Sequence, residues 1–140
     1  MIILDTSGLL AALDSSQTSH EAAARSLRRA DTPRLLSPFV LAELDYLLAT
    51  RISPSTARAF LEEVAGSAYQ LEPFSADDVG AALEVLRRYS DLDLGLADAA
   101  LVVLAERHGT ADILTLDQRH FRALRGPRGR PFRLLPADAA

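Results

Sequence analysis

The sequence predicts an α/β fold in which a parallel sheet is covered by helices on both faces. Short apolar segments alternate with longer segments of helical periodicity, and the apolar segments are nearly uninterrupted. A strand that is apolar at consecutive positions is buried on both faces, which is typical of parallel sheets. Alternating strands and helices with short connections favour parallel strands joined by right-handed crossovers. The length of 140 residues fits one domain, 1–140.

Five short apolar segments are predicted to form the strands. They lie at 2–4, 35–37, 69–72, 113–116 and 132–135. The first segment is continuously apolar, as expected for a central strand buried on both faces, and the fourth is predicted to be another buried strand. Pro73 and Pro136 directly follow the third and fifth segments, where a residue without an N–H group stops the hydrogen-bonded ladder.

Helical periodicity and capping signals predict the helices. The first predicted helix begins within residues 5–8 and ends near residue 13. The others lie at about 18–30, 38–50, 54–64, 75–89 and 97–108, and a helical turn begins at residue 117. Thr18 or Ser19 is the expected N-cap of the second helix, and Gly109 the C-cap of the sixth. The sixth helix is apolar nearly all round and is expected to be buried. The apolar positions at helical spacing in the fifth helix are Val79, Leu83 and Leu86.

The third helix has a clear apolar stripe. Its members are Val40, Leu41, Leu44, Leu47 and Leu48. At 100° per residue, Glu43 and Asp45 lie at opposite margins of this stripe. Only one of the two acidic side chains can therefore lean over the edge of the core into a cleft, and Glu43 is the one expected to do so.

Acidic residues stand where the chain leaves a predicted strand or enters a predicted helix. They are Asp5, Glu43, Asp98 and Asp117. Asp5 and Asp117 each follow an apolar strand, and the carboxyl ends of parallel strands form one ligand-binding edge. Each acid alone is also explained as a helix cap or a solvated flank. Together they predict a carboxylate cluster whose mutual repulsion raises its pKa values unless a divalent cation is bound. This pattern favours a metal-dependent phosphodiesterase.

Two residue types are absent from the chain, which reduces the kinds of metal site and of reaction to consider. The chain has no Cys, so a metal would be held by oxygen ligands or by His20, His108 or His120. It also has no Lys. Phosphoryl-accepting domains, such as response-regulator receivers and aspartate-nucleophile phosphatases, also place Asp at a strand end but use a lysine in the site. That class is therefore disfavoured.

Charge is unevenly distributed along the chain. Residues 1–100 hold eight Arg and fifteen acidic residues, whereas residues 101–140 hold seven Arg and four acidic residues. A basic end beside an acidic cleft would bind the backbone of a polyanion. The candidate RNA contacts are Arg119, Arg122 and Arg125. The alternative is that these side chains are simply solvated, as most charge runs are.

The sequence resembles the PIN-domain nucleases, and among them the VapC-type toxins of type II toxin–antitoxin systems. The resemblance rests on four segments, in the family's order, at 3–7, 37–44, 94–101 and 113–121. They read ILDTS, SPFVLAEL, LGLADAAL and ILTLDQRHF. The resemblance spans essentially the whole chain and implies a PIN-like domain. It implies that Asp5, Glu43, Asp98 and Asp117 are the catalytic acids that bind Mg²⁺ or Mn²⁺. It also implies supporting roles for Thr6, Ser7 and Thr115.

The same resemblance implies an activity and partners. The activity is hydrolysis of RNA phosphodiester bonds by metal-activated water, leaving a 5′-phosphate on the downstream fragment. The partners are a cognate VapB-like antitoxin and a second copy of the chain in a homodimer. A catalytically silent PIN-like binding module is the alternative. The N-terminus lacks a basic segment and no stretch is apolar enough for a membrane span, so a cytoplasmic location is expected.

Overall fold

A computed structural model describes residues 1–140 and contains one five-stranded sheet whose strands are all parallel. The strands are β1 (Ile2–Leu4), β2 (Arg34–Leu36), β3 (Gln70–Leu71), β4 (Asp112–Leu114) and β5 (Arg133–Leu135). All three residues of β1 are buried, although their side chains alternate between the two faces. Both faces of the sheet are therefore covered, and the predicted α/β fold class is confirmed.

The order of the strands across the sheet is β3-β2-β1-β4-β5. The chain builds outward from β1 through β2 to β3, and then returns to add β4 and β5 on the other side of β1. Ile3 pairs with Leu35 on one side and with Ile113 on the other. The direction of winding thus changes between β1 and β4, and ligands of such sheets bind outside the carboxyl ends of the strands at this point.

Seven α-helices connect and cover the strands. They are α1 (Thr6–Leu13), α2 (His20–Arg29), α3 (Pro38–Arg51), α4 (Pro54–Ala65), α5 (Ala76–Arg88), α6 (Leu96–His108) and α7 (Gln118–Ala123). Pro127–Gly129 forms a short 3₁₀ turn before β5. Each of the predicted helices is present with ends shifted by two residues or fewer. None of the helices combines the length and the apolar character needed to cross a lipid bilayer.

Three predicted strands, those at 35–37, 69–72 and 113–116, end one or two residues early, at Leu36, Leu71 and Leu114. Ser37 and Thr115 lie just beyond β2 and β4, yet both side chains are buried. The Ser37 hydroxyl accepts a hydrogen bond from the backbone N–H of Phe39 and so caps α3. The Thr115 hydroxyl donates to Asp5. Both side chains are therefore used in local hydrogen bonds at the carboxyl edge of the sheet.

One core of buried apolar side chains joins the sheet to the helices. Residues 99–105 of α6 are all buried, as predicted from its apolar sequence. In α3 the buried side chains are those of Val40, Leu44 and Leu48, whereas Leu47 is only partly buried. The packing face of α3 is thus close to the predicted stripe, with Leu44 at its centre.

The apolar positions at helical spacing in α5 differ in their burial. Val79 and Leu83 are exposed, whereas Leu86 is partly buried against the core. The buried residues of this helix are Ala82 and Val85, and the helix packs against α6.

Gly8 allows α1 to pack directly against the end of β4. A Cβ atom at this position would lie 2.4 Å from the carbonyl oxygen of Leu114 and 2.7 Å from the backbone nitrogen of Thr115. Real Cβ atoms do not approach backbone atoms this closely, so only glycine fits here without displacement. The close approach brings Ser7 on α1 within hydrogen-bonding distance of Thr115 after β4.

Candidate active site

Asp5 is the most constrained of the acidic residues. It follows β1, caps the N-terminus of α1, and its side chain is buried. Its Oδ1 atom accepts a hydrogen bond of 2.9 Å from the backbone N–H of Thr6. Its Oδ2 atom accepts hydrogen bonds from the hydroxyls of Thr115, at 2.6 Å, and Ser7, at 3.2 Å. Both carboxylate oxygens are therefore fixed in one orientation.

The hydroxyls of Ser7 and Thr115 connect Asp5 to the loop that carries Asp117. The two hydroxyl oxygens lie 3.3 Å apart. The Ser7 hydroxyl accepts from the backbone N–H of Leu116, and the Thr115 hydroxyl accepts from the backbone N–H of Asp117. The small polar residues thus hold the turn after β4 against the start of α1.

Thr6 contributes to the site through its backbone. Its N–H group binds Asp5, whereas its side-chain hydroxyl is buried without a hydrogen-bond partner. The contact of Thr6 with Asp5 is therefore made by the main chain, and the supporting role expected of its side chain stays a prediction.

Asp98 and Asp117 lie next to each other and to His120. Asp117 caps α7: its Oδ1 accepts from the backbone N–H of His120 at 3.0 Å, and its Oδ2 lies 2.9 Å from the ring Nδ1 of His120. Asp98, in the first turn of α6, places Oδ2 at 3.9 Å from the same Nδ1 atom. The donor atoms of these three residues all lie within 4.8 Å of one another, close enough to bind one metal ion.

Glu43 belongs to the same electrostatic site but lies farther out. It is exposed on α3, and its negative charge contributes to raising the pKa of Asp98. Asp45, on the opposite margin of the helix, is half-buried. The charge of Glu43 therefore links α3 to the acidic cluster.

The pKa values of two acids are shifted in the direction expected for a carboxylate cluster. Burial raises the pKa of Asp5 to about 6, with a further contribution from the charge of Asp98, and the hydrogen bond from Thr115 opposes the rise. Burial also raises the pKa of Asp98, and the charges of Asp117 and Glu43 add to it. The sequence predicted the direction but attributed it to repulsion, whereas removal from water is the larger cause.

The three arginines proposed for RNA binding differ in their surroundings. Arg122 forms an ion pair with Asp138 through both terminal nitrogens, at 2.7 Å each. Arg125 donates to the backbone carbonyls of Arg122 and Leu124. Arg119 is exposed at the start of α7, beside His120. Of the three guanidinium groups, that of Arg119 is the most available to an anionic ligand near the acids.

His120 is the site residue that sequence reasoning did not assign. The sequence identified it only as one of three histidines available as ligands. Its position three residues after Asp117 places both on one side of a helical turn. The spacing brings the two side chains together only if Asp117 caps the N-terminus of α7. The hydrogen bond from the His120 N–H to Asp117 Oδ1 shows that it does.

Comparison with known proteins identifies the family. The family model of the PIN domain matches residues 2–127 of this chain. The chain therefore belongs to the PIN-domain family, in agreement with the parallel sheet and the acidic cluster at its switch point. It is 43% identical over 135 residues to Ribonuclease VapC26 of Mycobacterium tuberculosis, which covers 96% of this chain and all of the relative. The resemblance to VapC-type proteins is thereby confirmed.

Solved structures share the fold at lower sequence identity. The crystal structure of VapC20 from Mycobacterium tuberculosis, described as a toxin that cleaves the sarcin-ricin loop, superposes with a TM-score of 0.78 at 24% identity. It covers 85% of this chain and 92% of VapC20. The structure of VapBC2 from Rickettsia felis bound to a promoter DNA fragment has a TM-score of 0.67 at 19% identity. That match covers 96% of this chain and 98% of the other.

Proposed function

We propose that this protein is a divalent-metal-dependent ribonuclease and the toxin of a toxin–antitoxin pair. The observation that carries the proposal is the convergence of the acidic residues Asp5, Asp98 and Asp117, with the charge of Glu43 acting on Asp98, at the switch point of the sheet. The relative of 43% identity, which is named a ribonuclease, supports the assignment of the reaction.

The residues present fit a hard divalent cation. Carboxylate oxygens are the preferred ligands of Mg²⁺ and Mn²⁺, and Cys ligands are absent. Burial raises the pKa values of Asp5 and Asp98, and a bound cation would favour their charged forms. Asp5, Glu43, Asp98 and Asp117 would hold the cation. When bound, Mg²⁺ or Mn²⁺ activates water as the nucleophile and neutralises charge on the phosphate.

The remaining residues of the site orient these acids and the substrate. The hydroxyls of Ser7 and Thr115 and the N–H of Thr6 fix the rotamer of Asp5, so that little reorganisation accompanies binding. Arg119 at the rim would bind the RNA backbone by charge, without reading its sequence. Arg122 would contribute only if it exchanged Asp138 for a phosphate, and Arg125 only if it released its carbonyl partners.

The proposed partners follow from the same family. One of the solved structures with the same fold is the VapBC2 complex from Rickettsia felis. We propose that a cognate VapB-like antitoxin holds this chain inactive in the cytoplasm, and that the chain forms a homodimer. Apolar side chains such as Tyr46, Val79 and Leu83 are exposed and available to protein partners.

RNA cleavage by the purified chain tests the proposal. Wild-type protein is incubated with structured RNA in Mg²⁺, in Mn²⁺ and with a chelator, beside Asp98→Asn and Asp117→Asn. Cleavage is expected only for the wild type with metal, because an amide keeps the shape of the side chain but loses its charge. Asp93→Asn is the matched control, since Asp93 is exposed and outside the cluster. RNA binding without cleavage under all conditions would instead identify a silent binding module.

A further inference from the structure

The surroundings of His120 are unusual for a histidine whose only role is packing. Its ring is mostly buried, and its Nε2 atom has no hydrogen-bond partner. The polar neighbours of the ring all lie on the Nδ1 side: Asp117 Oδ2 at 2.9 Å and Asp98 Oδ2 at 3.9 Å. Two acids from different elements, α6 and the start of α7, thus converge on one imidazole nitrogen.

These separations match ligands of one metal ion. Donor atoms bound at about 2.1 Å to one ion lie roughly 3 Å apart at right angles and roughly 4.2 Å apart when opposite. The distances from His120 Nδ1 to Asp117 Oδ2 and to Asp98 Oδ2, 2.9 and 3.9 Å, lie close to or between these two values. Both distances are therefore compatible with coordination of one ion.

We propose that His120 is a direct nitrogen ligand of the cation, together with Asp98 and Asp117. This inference rests on the metal site of the proposed function and adds a ligand of a different chemical type to it. In the metal-free chain, Nδ1 and Asp117 Oδ2 share a hydrogen bond. His120 would hold the cation through the Nδ1 lone pair, as a neutral ring with its proton on Nε2.

The backbone makes this exchange possible without loss of the helix cap. Asp117 Oδ1 accepts from the His120 N–H, so α7 would keep its N-terminal hydrogen bond with Oδ2 holding the cation. Imidazole nitrogen is a softer donor than carboxylate oxygen and raises affinity for Mn²⁺ more than for Mg²⁺. His120 therefore makes this site selective for Mn²⁺.

The alternative role for His120 is to position Asp117 through the hydrogen bond alone. A positioning histidine keeps its proton on Nδ1 and supplies no nitrogen to the ion. The substitution His120→Asn separates the two roles, because the Asn amide reproduces the Nδ1–H donor but offers no comparable nitrogen ligand. His20→Asn is the control, since His20 lies on α2 and bonds to the carbonyl of Ala11.

Pulsed electron paramagnetic resonance of the full chain with Mn²⁺ as the only metal is the deciding experiment. The wild type and His20→Asn should show coupling of Mn²⁺ to a histidine nitrogen, and His120→Asn should not. Calorimetry should give a Kd for Mn²⁺ that is weakened about tenfold or more in His120→Asn, with a smaller change for Mg²⁺. Thermal melts of the metal-free variants verify that each is folded.

The failures of the two proposals are distinguishable. Mn²⁺ that binds the wild type without nitrogen coupling would overturn the role of His120 and leave the carboxylate site intact. An unchanged ratio of Mn²⁺ to Mg²⁺ affinity in folded His120→Asn would do the same. If the wild type bound no Mn²⁺ at all, both this inference and the metal-dependent function would be wrong.

Discussion

Removing the charge of Asp5 should stabilise the metal-free protein. Burial raises the pKa of Asp5 from 3.8 to about 6, so the folded chain binds this proton more tightly than the unfolded chain does. Stability therefore falls as pH rises from about 4 through about 6, and the loss is complete above that range. Since one pKa unit corresponds to about 1.4 kcal/mol, the charged form costs about 3 kcal/mol at pH 7.5.

The substitution Asp5→Asn removes this cost and also loses a hydrogen bond. The side-chain carbonyl can accept either from Thr6 or from Thr115 and Ser7, but the amide nitrogen accepts from neither. The loss of this hydrogen bond destabilises the variant by about 1 kcal/mol and so offsets part of the gain in stability. The free energy of unfolding of the metal-free variant should therefore exceed that of the wild type by about 1–2 kcal/mol at pH 7.5. At pH 4, where folded Asp5 is largely protonated, the gain should vanish.

Urea denaturation followed by circular dichroism, with chelator present, measures both values. Asp93→Asn is the control and should lie within about 0.5 kcal/mol of the wild type at either pH. The variant should cleave no RNA, so that higher stability accompanies lost activity. A variant that is less stable than the wild type at pH 7.5, or equally stabilised at pH 4, would refute the conclusion that desolvation of the Asp5 charge governs this site.

Three further predictions concern the geometry of the site. Glu43→Gln should reduce RNA cleavage severely while Asp45→Asn leaves it near the wild-type rate; the reverse result would mean that α3 is placed wrongly. Gly8→Ala should cost roughly 1–3 kcal/mol in urea denaturation and slow cleavage, because a Cβ displaces Ser7 from Thr115. Gly80→Ala, in open space on α5, should be neutral or stabilising. Mn²⁺ at about 100 times its Kd should stabilise the wild type by about 2.7 kcal/mol, and an unchanged melting temperature would contradict metal binding.

The strands and the acids that follow them could be predicted from sequence because one local pattern determines both. A continuous apolar run such as Ile2-Ile3-Leu4 can only be buried on both faces, and the polar residue after it must then lie at the edge of the sheet. Parallel topology brings such edges together. Asp5 and Thr115, which are far apart in sequence, are thereby joined by a hydrogen bond of 2.6 Å.

The features that sequence reasoning missed depend on packing between elements. Val79 and Ala82 are both apolar residues of α5, and only the approach of α6 decides which of them is buried. The role of His120 likewise depends on Asp98, which arrives from another helix. The extent to which burial rather than repulsion raises the pKa of Asp5 also depends on the surrounding side chains, which no spacing in the sequence specifies.

The chemical nature of the RNA ends tests the central claim most directly. RNA is cleaved by the purified wild type in Mn²⁺ and ¹⁸O-labelled water, and the products are analysed by mass spectrometry. Attack by metal-activated water predicts 5′-phosphate ends that carry one ¹⁸O atom, and no product when the chelator is present or when Asp98 is replaced by Asn. Products with 2′,3′-cyclic phosphate ends, formed equally well in chelator, would contradict the account.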